Sequence, residues 1–352
     1  KPRYMLDYLG FVYPLKNKLK NIVIGISFQN KMNYKYSYAD ISNVFGKNDG
    51  KNNLTINSLH VGGAYSINRY ISAGFSYNTW FSMGNKEYTF DEYYYFPGDN
   101  TSLDPDTTHI YRFDSRDSYS GHNFTAGIML DMEPLHFPLQ LALKYEHRVV
   151  LKKDMDETYQ QDHVYRNYPD TTWIKKFRGV EKYYMPWILT PGISYRIGDY
   201  FTIACDLEVR LYNGKNHVWN YNQISSCTSV SQVITPEEIT PYADEIVYDK
   251  FYSTLHQYRF GAEYILHPKF ALIPVRAGWK SNKTSLYDYD KQYTIPKKVT
   301  AESLNFGTGL ISKHFSVDFA YEHYKYNRIN EIDMKEEKEF SFFLLSAIIY
   351  LK

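Results

Sequence analysis

Apolar and polar residues alternate strictly along Tyr200–Gly214, YFTIACDLEVRLYNG. Phe201, Ile203, Cys205, Leu207, Val209 and Leu211 fall on one side, and Thr202, Ala204, Asp206, Glu208, Arg210 and Tyr212 on the other. A period of two is that of a strand with one apolar and one polar face. The pattern returns in NIVIGISFQN, ISAGFSYNTW, LQLALKYEHR, YRFGAEYI and FSVDFAYEHY, and no segment has a comparable helical period. The chain is therefore read as all-β.

The connections between these strands alternate in length. Short ones follow Tyr13 and occupy 66–71, 132–139, 195–201, 266–272 and 311–316. Long polar ones fall at about 84–110, 152–174, 213–248 and 281–300. Short turns on one rim and long loops on the other are the pattern of an outer-membrane barrel, with periplasmic turns and extracellular loops. A soluble sandwich has no reason to sort its loops in this way.

The polar face supports the same reading. It mixes Gly, Ala and Ser with charges of both signs, which suits a narrow lumen where small residues make room and opposite charges pair. The apolar stretches, about 8–12 residues long, are long enough to cross a ~25 Å apolar band when tilted. Closure is then required, because an open sheet edge cannot be left unpaired in hydrocarbon.

Six short turns imply about twelve strands, and EFSFFLLSAIIYLK adds one more. The expectation is a single transmembrane antiparallel β-barrel spanning 1–352, of about fourteen strands with thirteen readable. The first strand and any hatch are placed before Lys1, since even strand numbers are the rule in such barrels.

Composition changes this picture little. No apolar run approaches the ~20 residues of a membrane helix, although the mean hydropathy alone is that of a soluble chain. Aromatic residues make up 18% of the chain and 37 are Tyr, a residue that favours strands and polar–apolar boundaries. A formal charge of +1 gives no argument for a nucleic-acid partner. The two cysteines, Cys205 and Cys227, are read as unpaired, and no metal site, cofactor or catalytic machinery is expected. Ser120 and His122 share a strand face in YSGHNF, but side-by-side neighbours rarely reach each other and no third member is evident. Asp99, Asp104 and Asp106 match no calcium-loop spacing. Pro191 and Pro274 interrupt strand patterns, each a kink, a wall opening or a bulge at the rim.

The candidate site residues are the charges of the polar face: Lys144, Glu146, Arg148, Arg196, Asp206, Glu208, Arg210, Arg259, Glu263, Arg276, Asp318 and Glu322, with Lys280 beside them. They either steer a carboxylate headgroup or gate a pore, or they form a salt-bridge lattice filling the lumen. The lattice is favoured, because charges of both signs at adjacent inward positions pair among themselves.

Hairpins such as LHVGGAYSINRYISAGFSYN and YLGFVYPLKNKLKNIVIGISF resemble the strand–short turn–Gly-containing strand units of the FadL-type outer-membrane family, in the tyrosine-rich style of its Bacteroidetes members. The resemblance implies a Gram-negative outer-membrane channel for passive uptake of hydrophobic molecules such as fatty acids. Its surroundings would be outer-membrane lipids and lipopolysaccharide. Two other readings are an accessory barrel of a type IX secretion system (PorV-type), with a protein partner, and a general diffusion porin.

Overall fold

The computed structural model describes the chain except for residues 1–6, 16–20, 34–35, 43–45, 53, 85, 95–106, 166–170, 213–214, 230–231, 249–253, 270, 289–296, 330–334 and 351–352. Its strands belong to one sheet. They are β1 (Tyr8–Pro14), β2 (Ile22–Asn33), β3 (Tyr36–Ser42), β4 (Gly46–Asn52), β5 (Thr55–Ser66), β6 (Ile71–Met83) and β7 (Lys86–Tyr94). There follow β8 (Thr107–Ser115), β9 (Ser118–Asp131), β10 (Leu139–Glu146), β11 (Val150–Tyr165), β12 (Thr171–Tyr184), β13 (Trp187–Ile197) and β14 (Phe201–Leu211). The last are β15 (Lys215–Ser229), β16 (Gln232–Tyr248), β17 (Leu255–Leu266), β18 (Ile273–Asp288), β19 (Lys297–Ile311), β20 (Phe315–Ile329) and β21 (Lys335–Ile349).

Antiparallel ladders join β1, β2, β5, β6, β9, β10, β13, β14, β17, β18, β19, β20 and β21 in that order. These are the thirteen strands that the turn count anticipates. Among the described residues no ladder joins β21 to β1.

A second tier continues the wall past the rim opposite the short turns. Ladders join β3, β4, β7, β8, β11, β12, β15 and β16 in order. Most of the ground expected as long loops is thus paired strand. Along β11 the residues of both faces are mostly polar in sequence, so this part of the tier lacks the alternation that marked the wall, although Phe113, Tyr159 and Phe177 stack across β8, β11 and β12.

Burial is inverted relative to a soluble domain. Phe75, Val61, Ile193, Phe260, Phe306, Phe319 and Leu345 are exposed, whereas Ser58, Asn78, Asn123, Glu208 and Ser303 are buried. Buried polar groups beside exposed large apolar ones are the informative departure from a soluble surface. Glycines on the polar face let neighbouring strands approach closely. A Cβ on Gly62 would strike the Phe75 carbonyl oxygen and lie 2.7 Å from Ser76 Cβ. Gly62→Val is expected to cost about 1–3 kcal/mol, read as a lower urea midpoint of the folded protein.

Candidate functional site

Three contacts identify the concave face. Arg276 on β18 meets Asp318 on β20 at 2.5 Å, and Lys280 on β18 meets Glu322 on β20 at 2.6 Å, both reaching over β19. Lys31 Nζ on β2 lies 5.4 Å from the Trp80 ring centroid on β6, over β5. Side chains separated by a whole strand can meet in this way only where the sheet curves toward them.

One sector of this face is a lattice of ion pairs. Arg210 Nε donates to Glu208 Oε1 at 2.7 Å, and Arg259 donates to Glu208 Oε2 and to Gln257. Arg259 Nη1 also lies 3.2 Å from Asp206 Oδ1, an ion pair without hydrogen-bond alignment, since that oxygen accepts no hydrogen bond. Arg276 Nε donates to Glu263 at 2.7 Å while its Nη1 serves Asp318, whose other oxygen accepts the Ser316 hydroxyl. Gly309 makes room here, for a Cβ would sit 2.5 Å from Asp318 Oδ1. Glu322 accepts both Lys280 and the Ser303 hydroxyl.

The other expected residues are placed differently. Lys144 and Glu146 are 3.9 Å apart, and Glu146 accepts Asn123 Nδ2 at 3.3 Å. Arg148 does not continue their row. Its guanidinium lies over Trp187 and Tyr184, at 5.2 and 5.8 Å. Regular strand stops between Glu146 and Val150, so strict alternation does not carry through to position 148. Trp187 stands opposite Leu211 on the convex side, and Arg148 is there a cation–π partner. Arg196 is exposed near the short-turn rim, in no ion pair among the described residues, with its backbone N–H donating to Pro138.

Sequence reasoning missed three features of the concave face. The first is a polar relay. Asn78 Nδ2 donates to Asn123 and Thr125, which turns Asn78 Oδ1 toward His60 Nδ1 at 2.5 Å. His60 therefore carries its proton on Nδ1, and Nε2 accepts the Ser58 hydroxyl. This order of serine, imidazole and amide resembles a nucleophile's arrangement, but Ser58 is 0% exposed and no substrate reaches it. Ser120 and His122 share no hydrogen bond; His122 stacks against Tyr77 with centroids 6.1 Å apart.

The second feature is an apolar cluster of Ile56, Trp80, Val149 and Leu151, with Met32, Tyr119, Tyr183 and Met185 packed on it. The third lies beyond that cluster, in the second tier. Lys153 Nζ is 2.6 Å from Glu157, 3.0 Å from Asp117 and 3.3 Å from Glu181. Ser115 donates to Asp117 and Tyr183 to Glu181, so the buried carboxylates are shared between one ammonium and two hydroxyls. Only the S-x-H spacing of Ser58 and His60 was a local signal; the other partners come from separate strands.

Pro191 keeps its place opposite Leu143 on β10. Toward β14, however, pairing lapses from Leu189↔Val209 to Gly192↔Asp206 and resumes in the same register. The Thr190 hydroxyl is buried there without a partner. Pro274 sits at the start of β18, opposite Ile265. Cys205 is a free thiol, while the Cys227 side chain and Asp99, Asp104 and Asp106 lie outside the described residues. Among the described residues no group of three His, Cys, Asp or Glu is placed to hold a metal ion.

By sequence, no protein-family model and no curated protein matches the chain. Solved structures do match in three dimensions. The Pseudomonas putida toluene transporter TodX matches with a TM-score of 0.62 at 12% identity, over 97% of this chain and 81% of that one. The CymD monoaromatic hydrocarbon channel gives 0.57 at 12% identity, over 97% and 82%. A Pseudomonas aeruginosa FadL homologue gives 0.54 at 12%, over 97% and 77%. With its apolar convex face, its charged concave face and its antiparallel order, the chain has the fold of the FadL-type β-barrels.

Proposed function

We propose that this protein is a Gram-negative outer-membrane channel for passive uptake of hydrophobic small molecules, fatty acids or monoaromatic hydrocarbons among them. The observation that carries the reading is the apolar cluster of Ile56, Trp80, Val149 and Leu151 on an otherwise polar concave face; it is packed shut, Leu151 being 2% exposed, so a solute passes it only when the cluster opens. A channel for sugars or ions gains nothing from an apolar station inside its wall, whereas an apolar solute needs one. The fold supports the same reading, since structural neighbours are described as a toluene transporter and a monoaromatic hydrocarbon channel. No energy input is involved. The lapse in pairing beside Pro191 is the weakest point of the β13–β14 seam and the natural place for the wall to part.

The test is uptake by proteoliposomes after confirming outer-membrane fractionation. Wild type is expected to speed entry of radiolabelled oleate or toluene but not sucrose. Leu151→Asp, which puts a charge in the packed apolar cluster, is expected to lower that rate per folded molecule roughly tenfold, about 1.4 kcal/mol of barrier. Equal passage of sucrose would make the protein a diffusion porin instead. Co-purification of a secreted polypeptide, with no solute flux, would move it to a secretion complex.

A further inference from the structure

On the convex face the wall sinks into a groove of about 580 Å³. Cys205 on β14, Ala262 on β17 and Ala277 on β18 supply its small side chains, and Ile203, Phe260 and Phe306 its large ones. Register explains the depression. Ile203, Ala262, Ala277 and Phe306 stand opposite one another in a single row, so two alanines separate two bulky residues. Beside them, Ala204, Gly261 and Gly278 form the adjoining concave-side row, so the backbone there is nearly bare on both sides.

The groove ends on closed backbone. The β14–β17 ladder runs without a break from Phe201↔Tyr264 to Arg210↔Leu255, and β17–β18 from Gln257↔Asn282 to Leu266↔Ile273. It is thus a recess in the outer surface and not a passage. It is continuous with the exposed apolar surface, Phe260 and Phe306 being 53% and 54% exposed. It sits just above the short connections at 198–200 and 267–272, where Tyr200 and His267 meet edge to face at 4.9 Å. Aromatic groups with a polar tip mark the level of lipid headgroups.

We infer that this groove binds one acyl chain of a phospholipid from the periplasmic leaflet. The inference rests on the outer-membrane reading above, in which short turns face the periplasm and the convex face meets lipid. A recess of this volume is within the range of small-molecule sites. Its lining offers no charge to a peptide or a phosphate, and its position in the wall presents it to hydrocarbon. A chain lying against bare backbone gains contacts that a flat wall cannot give, so it is retained where other surrounding lipids exchange.

Wild type, Ala277→Phe and the milder Ala262→Leu would be purified from native outer membranes in mild detergent, washed exhaustively, and weighed by native mass spectrometry. Heat-modifiable gel mobility identifies the folded barrels. Wild type is expected to keep one phospholipid per chain, and folded filled variants to keep roughly tenfold less. Equal retention by wild type and the filled variants, no retention by wild type, or retained lipopolysaccharide in its place would overturn the inference. So would disulfide-linked dimers through Cys205 in a Cys227→Ser background, which would assign the face to a second copy. Absence of the protein from the outer-membrane fraction would instead sink the membrane reading, and fractionation reveals that before any lipid is weighed.

Discussion

Lys153→Met is expected to destabilise the second tier by about 3–5 kcal/mol, the cost of removing one partner from a buried ionic cluster. The lysine side chain is 9% exposed and touches Glu157, Asp117 and Glu181, whose own side chains are 12%, 7% and 11% exposed. Without the ammonium, three carboxylates on β11, β12 and the link between β8 and β9 are left facing one another. The Ser115 and Tyr183 hydroxyls still donate to two of them, but neither neutralises a charge. Hydrogen exchange of β11 and β12 amides would show the loss, because these strands open without the whole wall unfolding. Unchanged protection there would refute the assignment of Lys153 as the hub.

The pH dependence has a definite sign. Burial alone would lower the Lys153 pKa, but the bond to Glu157 and the charges of Glu157 and Asp117 outweigh it and hold the group well above the usual lysine range. Its contribution to stability is therefore full below the ordinary lysine pKa and is lost only as pH rises through the higher folded value. Burial is also the largest influence on Glu157 and leaves its carboxyl above the usual range, despite the bond from Lys153. A raised carboxyl favours the folded state most at pH below its ordinary value, and that part fades as pH rises through the folded value. Mild acid thus leaves the wild-type cluster intact. In Lys153→Met the carboxylates lack their cation, so the deficit in protection is expected to shrink as pH falls and the raised Glu157 carboxyl takes up its proton.

The wall was legible in the sequence because each of its strands borders two different media, and that contrast writes a period of two into the residues. Phe260 and Arg259, or Ile203 and Thr202, announce their faces without knowledge of any neighbour. The second tier carried no such contrast: KKDMDETYQQDH is polar on both sides, as suits a ribbon with water on either face, and so reads as loop. Arg148 was misplaced because alternation is a running count, and the interruption between Glu146 and Val150 resets it. The Lys153 cluster could not be assembled from spacing, since its three carboxylates lie at positions 117, 157 and 181. Arg276 and Asp318 were foreseeable as inward residues but not as partners, because their meeting depends on the glycines of β19 leaving room between them.

Glu208→Ala is the expected dividing experiment for the charge lattice. Glu208 is 7% exposed and sits between two guanidinium groups, Arg210 on its own strand and Arg259 on β17. Arg259 keeps Gln257 and Asp206 when the carboxylate goes, but Arg210 loses the ion-pair partner it has among the described residues. Both arginines are about one-third exposed, at 34% and 35%, so water screens part of the loss. The expected cost is about 2–3 kcal/mol, less than for Lys153→Met, whose partners are all buried. Asp206→Ala should cost less again, because Asp206 is itself 33% exposed and its oxygen facing Arg259 is not aligned for a hydrogen bond. Urea unfolding of the folded protein in lipid gives both values. If the lattice is structural, uptake of an apolar solute per folded molecule stays within about twofold of wild type while stability falls, since the freed Arg210 changes the lining but not the apolar cluster at Leu151. A collapse of uptake at unchanged stability would make Glu208 and its arginines a gate. Lattice and gate make opposite demands on the same carboxylate: a lattice needs it held by both neighbours throughout transport, whereas a gate needs it to let one of them go.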